Sequence, residues 1–329
     1  MSFASETKNE LAHVVPEKKC CMLAEIAGFL RLSGAVSLAG GGKFIIKLTT
    51  DNPAVARHYK QLIKDYFTVD ASINVTEGSS IRKGKNYIIE IGPEQLSELI
   101  LRETGVLMVR EGMNYITDGI YDGIIRTKCC RKAFLRGAFI GSGTISNPEK
   151  SYHFEIDSNS PVTARDVRRL INTFDDIKAG TVRRKDEFVT YVKDSGQILD
   201  ILAIMGASSS YFKFEDVRMT KEIRNEANRR SNCDQANIDK AVAAAEKQIE
   251  AIRKLDLSVL DEKLRKTAVL RMENPDASLT ELGQMMDPPM KKSGVNSRLT
   301  KLMKLAEEQK SGTRTGGKKK RPAKQSGTE

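Results

Sequence analysis

The sequence has 329 residues, of which 40% are hydrophobic, so it can form two or three domains that each have a core. It contains no run of about 18 or more apolar residues, which excludes an ordinary transmembrane helix. Its first residues lack the apolar stretch and cleavage pattern of a signal peptide. We therefore expect a cytoplasmic protein.

The net charge of +11 is concentrated toward the C-terminus. Residues 218–329 contain 25 basic and 16 acidic residues, whereas residues 1–217 contain 29 and 27. A basic excess within one module suits phosphate binding, because each Lys or Arg that neutralises a phosphate releases a condensed counterion. A soluble basic surface would have the same composition, so charge alone leaves nucleic-acid binding open.

The cysteines and histidines have no spacing that is typical of a metal site or a disulfide framework. The five cysteines comprise the adjacent pairs Cys20–Cys21 and Cys129–Cys130 and the single Cys233, without a CxxC motif. The three histidines are scattered, at His13, His58 and His153. We expect reduced cysteines, no bound metal and no cofactor.

Comparison of the sequence with itself reveals a duplication. The tripeptide at residues 19–21, Lys-Cys-Cys, recurs 109 residues later at residues 128–130. The same displacement superimposes further residues without a gap: Gly28 on Gly137, Ser33 on Ser142 and Gly34 on Gly143. The first part of the chain is therefore predicted to contain two copies of one unit, at about residues 19–104 and 128–207.

Hydrophobic periodicity predicts the order αββαββα in each copy. The first copy has predicted helices at 20–32, at 53–67 and from residue 93, and strands at 35–39, 43–49, 71–75 and 85–91. The second copy has predicted helices at 129–141, 161–174 and 195–205, and strands at 144–146, 151–157, 180–184 and 187–193. Alternating strands of this kind form an antiparallel sheet with one face on the helices and one face exposed.

The first helix of each copy is rich in apolar and small residues. The two segments are Ile26–Gly34, IAGFLRLSG, and Leu135–Gly143, LRGAFIGSG. This pattern, at the start of two αββαββα units, resembles the LAGLIDADG homing endonucleases. The resemblance implies that the two helices pack together at a pseudo-two-fold axis and that the sheets form a saddle over DNA.

The catalytic acids of that endonuclease family are absent. The family has an acidic residue before the last glycine of each motif, and the pair holds a divalent metal for phosphodiester hydrolysis. Ser33 and Ser142 occupy these positions, and neither nonapeptide contains Asp or Glu. A neutral hydroxyl cannot replace an anionic metal ligand, so we predict a scaffold without nuclease activity.

The C-terminal part is predicted to be helical. A connector at residues 218–258 contains an Ala-rich helix at 235–252, and residues 259–308 contain three helices at 261–273, 278–286 and 293–307. Ser278 with Glu281 forms a capping box, and Ser293 follows two prolines as the predicted cap of the last helix. A short helix, a tight connection and a longer basic helix are typical of a helix-turn-helix. The fold class is thus α+β, a duplicated αββαββα domain at residues 1–217 followed by an all-α helix-turn-helix domain.

The last helix has a polar face that suits DNA. Arg and Asn suit bidentate contacts to base edges, while lysines and helix N-termini suit phosphates. The predicted DNA-binding residues are Ser278, Thr280, Lys291, Lys292, Ser293, Asn296, Ser297, Arg298 and Lys301. A solvated surface helix would present similar residues.

The chain ends in a basic segment at residues 309–329, with Lys318–Arg321 at its centre. We predict that this segment is a disordered tail that adds salt-sensitive affinity for DNA. A role in solubility alone would also explain its composition.

Two further segments extend the resemblance over nearly the whole chain. Residues 225–237 read NEANRRSNCDQAN, and residues 274–299 read NPDASLTELGQMMDPPMKKSGVNSRL. Together with the acid-less repeat they resemble the WhiA family. The resemblance implies a non-enzymatic bacterial regulator of transcription, associated with the nucleoid and tied to cell division, chromosome segregation or sporulation.

The partner implied for such a regulator is double-stranded DNA. Its implied protein partners are another transcription factor or a component of RNA polymerase, and no membrane is involved. Two alternatives stay open at this point: an architectural protein of the nucleoid or division machinery, and a nuclease that uses unconventional metal ligands.

Overall fold

The structure is a computed structural model that describes residues 2–77 and 84–312. It contains two compact units, Met1–Glu222 and Ile223–Glu329, hereafter the N-terminal and the C-terminal unit. No helix in the described ranges combines the length and apolar character needed to cross a membrane. Most of the predicted basic tail, residues 313–329 with Lys318–Arg321, lies outside the described residues.

The N-terminal unit contains the predicted duplication. Its first half consists of α1 Phe3–Leu11, α2 Lys19–Ser33, β1 Gly34–Leu38, β2 Phe44–Thr50, α3 Pro53–Phe67, β3 Ser72–Glu77, β4 Lys85–Ile91, α4 Ser97–Glu103, β5 Leu107–Arg110 and β6 Met113–Ile116. Its second half consists of α5 Lys128–Ser142, β7 Gly143–Ile145, β8 Phe154–Ser158, α6 Pro161–Ile171, β9 Gly180–Arg184, β10 Glu187–Val192 and α7 Ser195–Met205. Helix α8, Ser208–Ile252, begins in this unit and includes the boundary between the two units.

The two halves form equivalent antiparallel sheets. Their strand orders are β1-β2-β4-β3 and β7-β8-β10-β9, so each sheet has the same connectivity. The predicted α+β duplication is confirmed. The β5–β6 hairpin and α1 were not predicted; β5 and β6 have only four residues each, which is too short for a clear periodicity.

Local sequence explains why α3 agrees with its predicted bounds. The side chain of Asn52 accepts a hydrogen bond from the Ala54 backbone N–H at 2.8 Å, and Pro53 occupies the first turn. The equivalent helix α6 is shorter than predicted, because it ends at Ile171 rather than at residue 174. The Asn172 N–H still donates to the Arg168 carbonyl oxygen four residues back, whereas those of Thr173 and Phe174 donate only three residues back.

Helices α2 and α5 pack against each other through glycine. A Cβ atom on Gly28 would lie 2.3 Å from the Phe134 carbonyl oxygen, and a Cβ atom on Gly137 would lie 2.2 Å from the Glu25 carbonyl oxygen. Both distances are far below van der Waals contact, so only glycine permits this separation of the backbones. The close helix pair implied by the two nonapeptides is therefore present.

A buried polar network joins the same two helices. The guanidinium of Arg136 donates to Glu25 Oε2 at 2.6 and 2.9 Å and to the Met205 carbonyl oxygen at 3.0 Å. His58 Nε2 lies 2.9 Å from the other oxygen of Glu25, which is fully buried. Each repeat contributes to the network, so it links the two halves of the unit.

The C-terminal unit has a small core of its own. After the end of α8 it contains α9 Glu262–Glu273, α10 Leu279–Gln284 and α11 Lys292–Gly312. The predicted Ala-rich helix at residues 235–252 proves to be the end of α8 and not a separate element. Buried residues from all four helices form the core: Ile252, Leu264, Ala268, Leu282, Val295, Leu299 and Leu302.

Candidate nucleic-acid interface

Helix α10 begins with the capping box that the sequence predicts. The Ser278 backbone N–H donates to the Glu281 carboxylate at 2.7 Å, and the Glu281 N–H donates to Ser278 Oγ at 3.3 Å. The hydrogen bond from the Ser278 backbone lowers the pKa of Glu281. Because the box satisfies two backbone donors, it defines where α10 starts.

The connection between α10 and α11 folds back closely on α10. The Met290 backbone N–H donates to the Gly283 carbonyl oxygen at 2.9 Å, and a Cβ atom on Gly283 would lie 2.3 Å from the Met290 carbonyl oxygen. Glycine is therefore required at this position. The close approach lets α10 and α11 share a core although their connection contains two prolines.

Helix α11 begins one residue earlier than predicted. The N–H groups of Gly294 and Val295 donate to the Lys291 carbonyl oxygen, so Lys291 precedes the first turn and Ser293 lies inside it. The prediction that Ser293 caps this helix is therefore wrong. The helix also continues to Gly312, beyond the predicted end near residue 307.

One side of α11 is buried and the other faces solvent. Val295, Leu299 and Leu302 are at most 1% exposed, and their spacing of three and four residues places them on one face. Eight of the nine predicted DNA-binding positions are exposed: Ser278, Thr280, Lys291, Lys292, Ser293, Asn296, Ser297 and Lys301. The structure thus brings the start of α10 and the polar face of α11 into one small unit.

The ninth position, Arg298, differs from the others. It is only partly exposed, and its Nη1 atom lies 3.5 Å from Thr267 Oγ1 on α9 and 3.7 Å from Met286 Sδ. The sequence explains this position, because Arg298 is three residues after Val295 and four before Leu302, beside the buried face. Arg298 therefore contacts α9 while it stays partly exposed, and its role in DNA binding stays a prediction.

At the other predicted site, the C-terminal ends of α2 and α5 adjoin a groove of about 530 Å³. The hydroxyl of Ser33 donates to the Phe29 carbonyl oxygen at 2.7 Å, and that of Ser142 donates to the Asp157 carbonyl oxygen at 2.6 Å. Both hydroxyls are therefore used in backbone contacts. The positions that carry acids in homing endonucleases present no anionic oxygen here.

Acidic residues from other elements do line this groove, namely Asp118, Asp157 and Glu187. Burial, followed by the charges of Glu155 and Glu187, raises the pKa of Asp157. Within the described ranges, no three Asp, Glu, His or Cys side chains at this groove are close enough to share one metal ion. The acids of the groove thus come from positions other than Ser33 and Ser142.

Sequence reasoning missed one cluster of side chains that could hold a metal ion. The thiols of Cys20, Cys21, Cys129 and Cys130 lie within 4.8 Å of one another. The expectation of no metal site considered only spacing along the chain, whereas these cysteines come from two repeats. A signal was present, because the Lys-Cys-Cys tripeptides identified the duplication and helices that pair in parallel bring their starts together.

These features define a class of protein: a duplicated LAGLIDADG-like unit followed by a helix-turn-helix domain. Three family models match the chain: the WhiA N-terminal LAGLIDADG-like domain at residues 19–107, the WhiA LAGLIDADG-like domain at 131–224 and the WhiA C-terminal HTH domain at 227–306. The chain belongs to the WhiA family.

Relatives of similar length support the assignment. The protein named "Probable cell division protein WhiA" from Alkaliphilus metalliredigens is 40% identical over 314 residues, which cover 94% of this chain and 99% of the relative. The protein of the same name from Desulforamulus reducens is 41% identical over 323 residues, 97% and 99% of the two chains. Full-length WhiA from Thermotoga maritima, a crystal structure, is 24% identical with a TM-score of 0.57, covers 94% of this chain and 99% of its own, and shows the shared fold.

Proposed function

We propose that this protein is a non-enzymatic regulator of transcription that binds double-stranded DNA through α10 and α11. The observation that carries the proposal is the division of α11 into a buried apolar face and an exposed face with Asn296, Ser297 and Lys301. A helix about 10 to 12 Å across fits the major groove, which is about 12 Å wide. Helix α11 is the proposed recognition helix.

The exposed residues divide into two roles. Asn296 and Ser297 lie in the first turns of α11 and are the proposed base readers, since an Asn amide pairs with the N6 and N7 atoms of adenine. Lys291, Lys292 and Lys301 are the proposed phosphate contacts, together with Ser278 and Thr280 at the start of α10 and Ser293 at the start of α11. Arg298 contacts α9 in this scheme, and its predicted role in DNA binding is tested by Arg298→Ala.

We propose that the N-terminal unit cuts no DNA. The helix ends offer Ser33 and Ser142, and neutral hydroxyls cannot bring Mg²⁺ to a polyanionic substrate as carboxylates do. In this proposal the unit serves as a scaffold that adds DNA contacts or binds a protein of the transcription machinery. The relatives' name supports a role in cell division, with chromosome segregation and sporulation as related processes.

The proposal is tested by selecting genomic DNA fragments with the full-length protein at near-physiological salt. The wild-type protein should enrich one motif, and Asn296→Ala/Lys301→Ala should lose it. Lys266→Ala is a matched control, because Lys266 is exposed on α9 and pairs with Glu262 at 3.0 Å. If the wild-type protein enriches no motif, the sequence-specific regulator is excluded and an architectural role is favoured.

The non-enzymatic part needs a separate test. Supercoiled plasmid incubated with the protein and Mg²⁺ or Mn²⁺ should stay intact. Nicking that depends on the metal and disappears in Asp157→Asn would overturn this part of the proposal, because Asp157 is one of the acids that line the groove.

A further inference from the structure

Four cysteine thiols converge at the N-terminal ends of the central helix pair. Cys20 and Cys21 open α2, and Cys129 and Cys130 open α5. Their four Sγ atoms all lie within 4.8 Å of one another. Because α2 and α5 are the equivalent helices of the two repeats, the cluster contains one vicinal pair from each repeat.

The spacing of the sulfur atoms suits one tetrahedral ion. A Zn²⁺ ion with Zn–S bonds of about 2.3 Å holds its four sulfur ligands about 3.8 Å apart, which is within the extent of the cluster. A disulfide needs two sulfurs about 2.05 Å apart, and all four of these cysteines are free. Thiolate is also the ligand that favours zinc over magnesium or calcium.

The surroundings differ between the four thiols: burial raises the pKa of Cys21 and Cys130, whereas the Thr127 hydroxyl lowers the pKa of Cys129 to about 7. A bound divalent cation deprotonates the thiols that coordinate it. The cluster lies in the first turns of two helices, where the positive dipole end favours a negative charge. Lys18, Lys19 and Lys128 flank the four cysteines in the sequence and are exposed. Thr127 Oγ1 lies 3.2 Å from Cys129 Sγ, so its hydroxyl can donate to the sulfur and orient it.

Burial divides the cluster into an inner and an outer pair. Cys21 and Cys130 are 8% and 4% exposed, whereas Cys20 is exposed and Cys129 is partly exposed. The inner pair is anchored in the core between the helices, and the outer pair leaves a path for a metal ion to enter. Four protein ligands leave no open coordination position, which is typical of a structural rather than a catalytic zinc.

We propose that Cys20, Cys21, Cys129 and Cys130 bind one Zn²⁺ ion as a structural tetrathiolate site that joins the two repeats. Helix α2 rises about 1.5 Å per residue, so the site lies roughly 20 Å along the helix from Ser33. The zinc is therefore remote from the degenerate acid positions and takes no part in DNA chemistry. It stabilises the helix pair from the end opposite to the groove.

The first test is the metal content of the full-length protein, expressed with zinc in the medium and purified under reducing conditions. The wild-type protein should contain one zinc per chain. Cys20→Ser/Cys129→Ser, which changes the two more exposed ligands, should contain almost none. Cys233→Ser is the matched control, because Cys233 is exposed on α8 and outside the cluster, and it should retain one zinc.

A second measurement uses the wild-type protein alone and does not depend on whether a variant folds. After removal of zinc under reducing conditions, Co²⁺ should produce the intense visible bands of a tetrahedral thiolate complex, and added Zn²⁺ should abolish them. Zinc should also raise the melting temperature of the apo protein, and should not do so for Cys20→Ser/Cys129→Ser.

Four results would overturn the proposal: no zinc in the wild-type protein, iron in its place, unchanged zinc in Cys20→Ser/Cys129→Ser, or an octahedral cobalt spectrum. A disulfide among these cysteines in protein kept from oxidants would equally exclude the zinc site. None of these results affects the proposed DNA-binding role, since the helix-turn-helix and the cluster belong to different units.

Discussion

The N-terminal unit has a buried ion pair between its two central helices, whereas the polar face of α11 in the C-terminal unit is exposed. In the N-terminal unit, the most tightly held charges, Glu25 and Arg136, lie inside between two helices. In the C-terminal unit, Asn296 and Lys301 lie outside on the surface of a small core. A polar group inside contributes to stability and specificity of folding, whereas one outside is free to bind a ligand.

The two units also differ in what they retain: the first has a large fold without the acids of its fold family, and the second has a small fold with an exposed polar face. The N-terminal unit retains the close helix pair and paired sheets of a LAGLIDADG-like fold, yet Ser33 and Ser142 stand where that fold carries acids. The C-terminal unit has a small core from three helices and the end of α8, and it has the exposed polar face. Substitutions in the buried pair should therefore alter the folding of the first unit, whereas substitutions on the exposed face should alter the affinity of the second for DNA.

The largest loss of stability is expected for Glu25→Gln in the N-terminal unit. This change leaves the buried guanidinium of Arg136 without its anionic partner, and loss of one partner of a buried pair costs about 3 to 5 kcal/mol. The unfolding free energy of the N-terminal unit, measured by chemical denaturation, should fall by that amount. Glu25→Met/Arg136→Met is the control and should recover part of the loss, because it removes both charges. If Glu25→Gln lowers the unfolding free energy by no more than the loss of an exposed ion pair does, about 1 kcal/mol, the buried network does not stabilise the unit in this way.

The next largest loss of stability is expected for Leu302→Ala in the core of the C-terminal unit. Leu302 is 0% exposed, and truncation of a buried leucine costs about 2 to 5 kcal/mol. The transition of the C-terminal unit should shift while that of the N-terminal unit stays unchanged. Lys304→Ala, an exposed change on the same helix, is the control for stability. A shift of both transitions would show that the two units do not unfold independently.

A smaller effect, confined to binding, is expected for Asn296→Ala. If the amide reads a base, affinity for the selected motif should fall by about 1 to 3 kcal/mol while affinity for unrelated duplex changes less. Fluorescence anisotropy with the two DNA duplexes measures both, and Lys266→Ala provides the comparison. Equal losses on the two duplexes would remove Asn296 as a base reader.

The smallest effect is expected for Arg298→Ala, and it distinguishes the two interpretations of this residue. The contacts of Arg298 with Thr267 and Met286 predict a loss of stability of about 0.5 to 1.5 kcal/mol, with binding to all DNA sequences reduced alike. A base reader would instead lose affinity only for the selected motif. Denaturation and anisotropy on the same variant decide between them.

Local signals account for the parts of the fold that the sequence predicted well. Asn52 and Pro53 start α3, and Ser278 with Glu281 starts α10, because these residues satisfy backbone groups within a few positions along the chain. Strands β4 and β9 have in the structure the bounds that the sequence predicts. Helix α1 and the β5–β6 hairpin were missed, although Ser2 caps α1 by accepting a hydrogen bond from the Ser5 N–H at 3.2 Å.

The sequence by itself determined the duplication, the absence of acids at Ser33 and Ser142, and the helix-turn-helix order, since each depends on residue identity and spacing along the chain. Only the tertiary structure decided that Arg298 turns toward α9, that Glu25 meets Arg136, and that four cysteines 109 residues apart in two pairs form one cluster. The physical reason is that these contacts join elements distant in sequence. Their geometry is set by how closely α2 approaches α5 and α11 approaches α9.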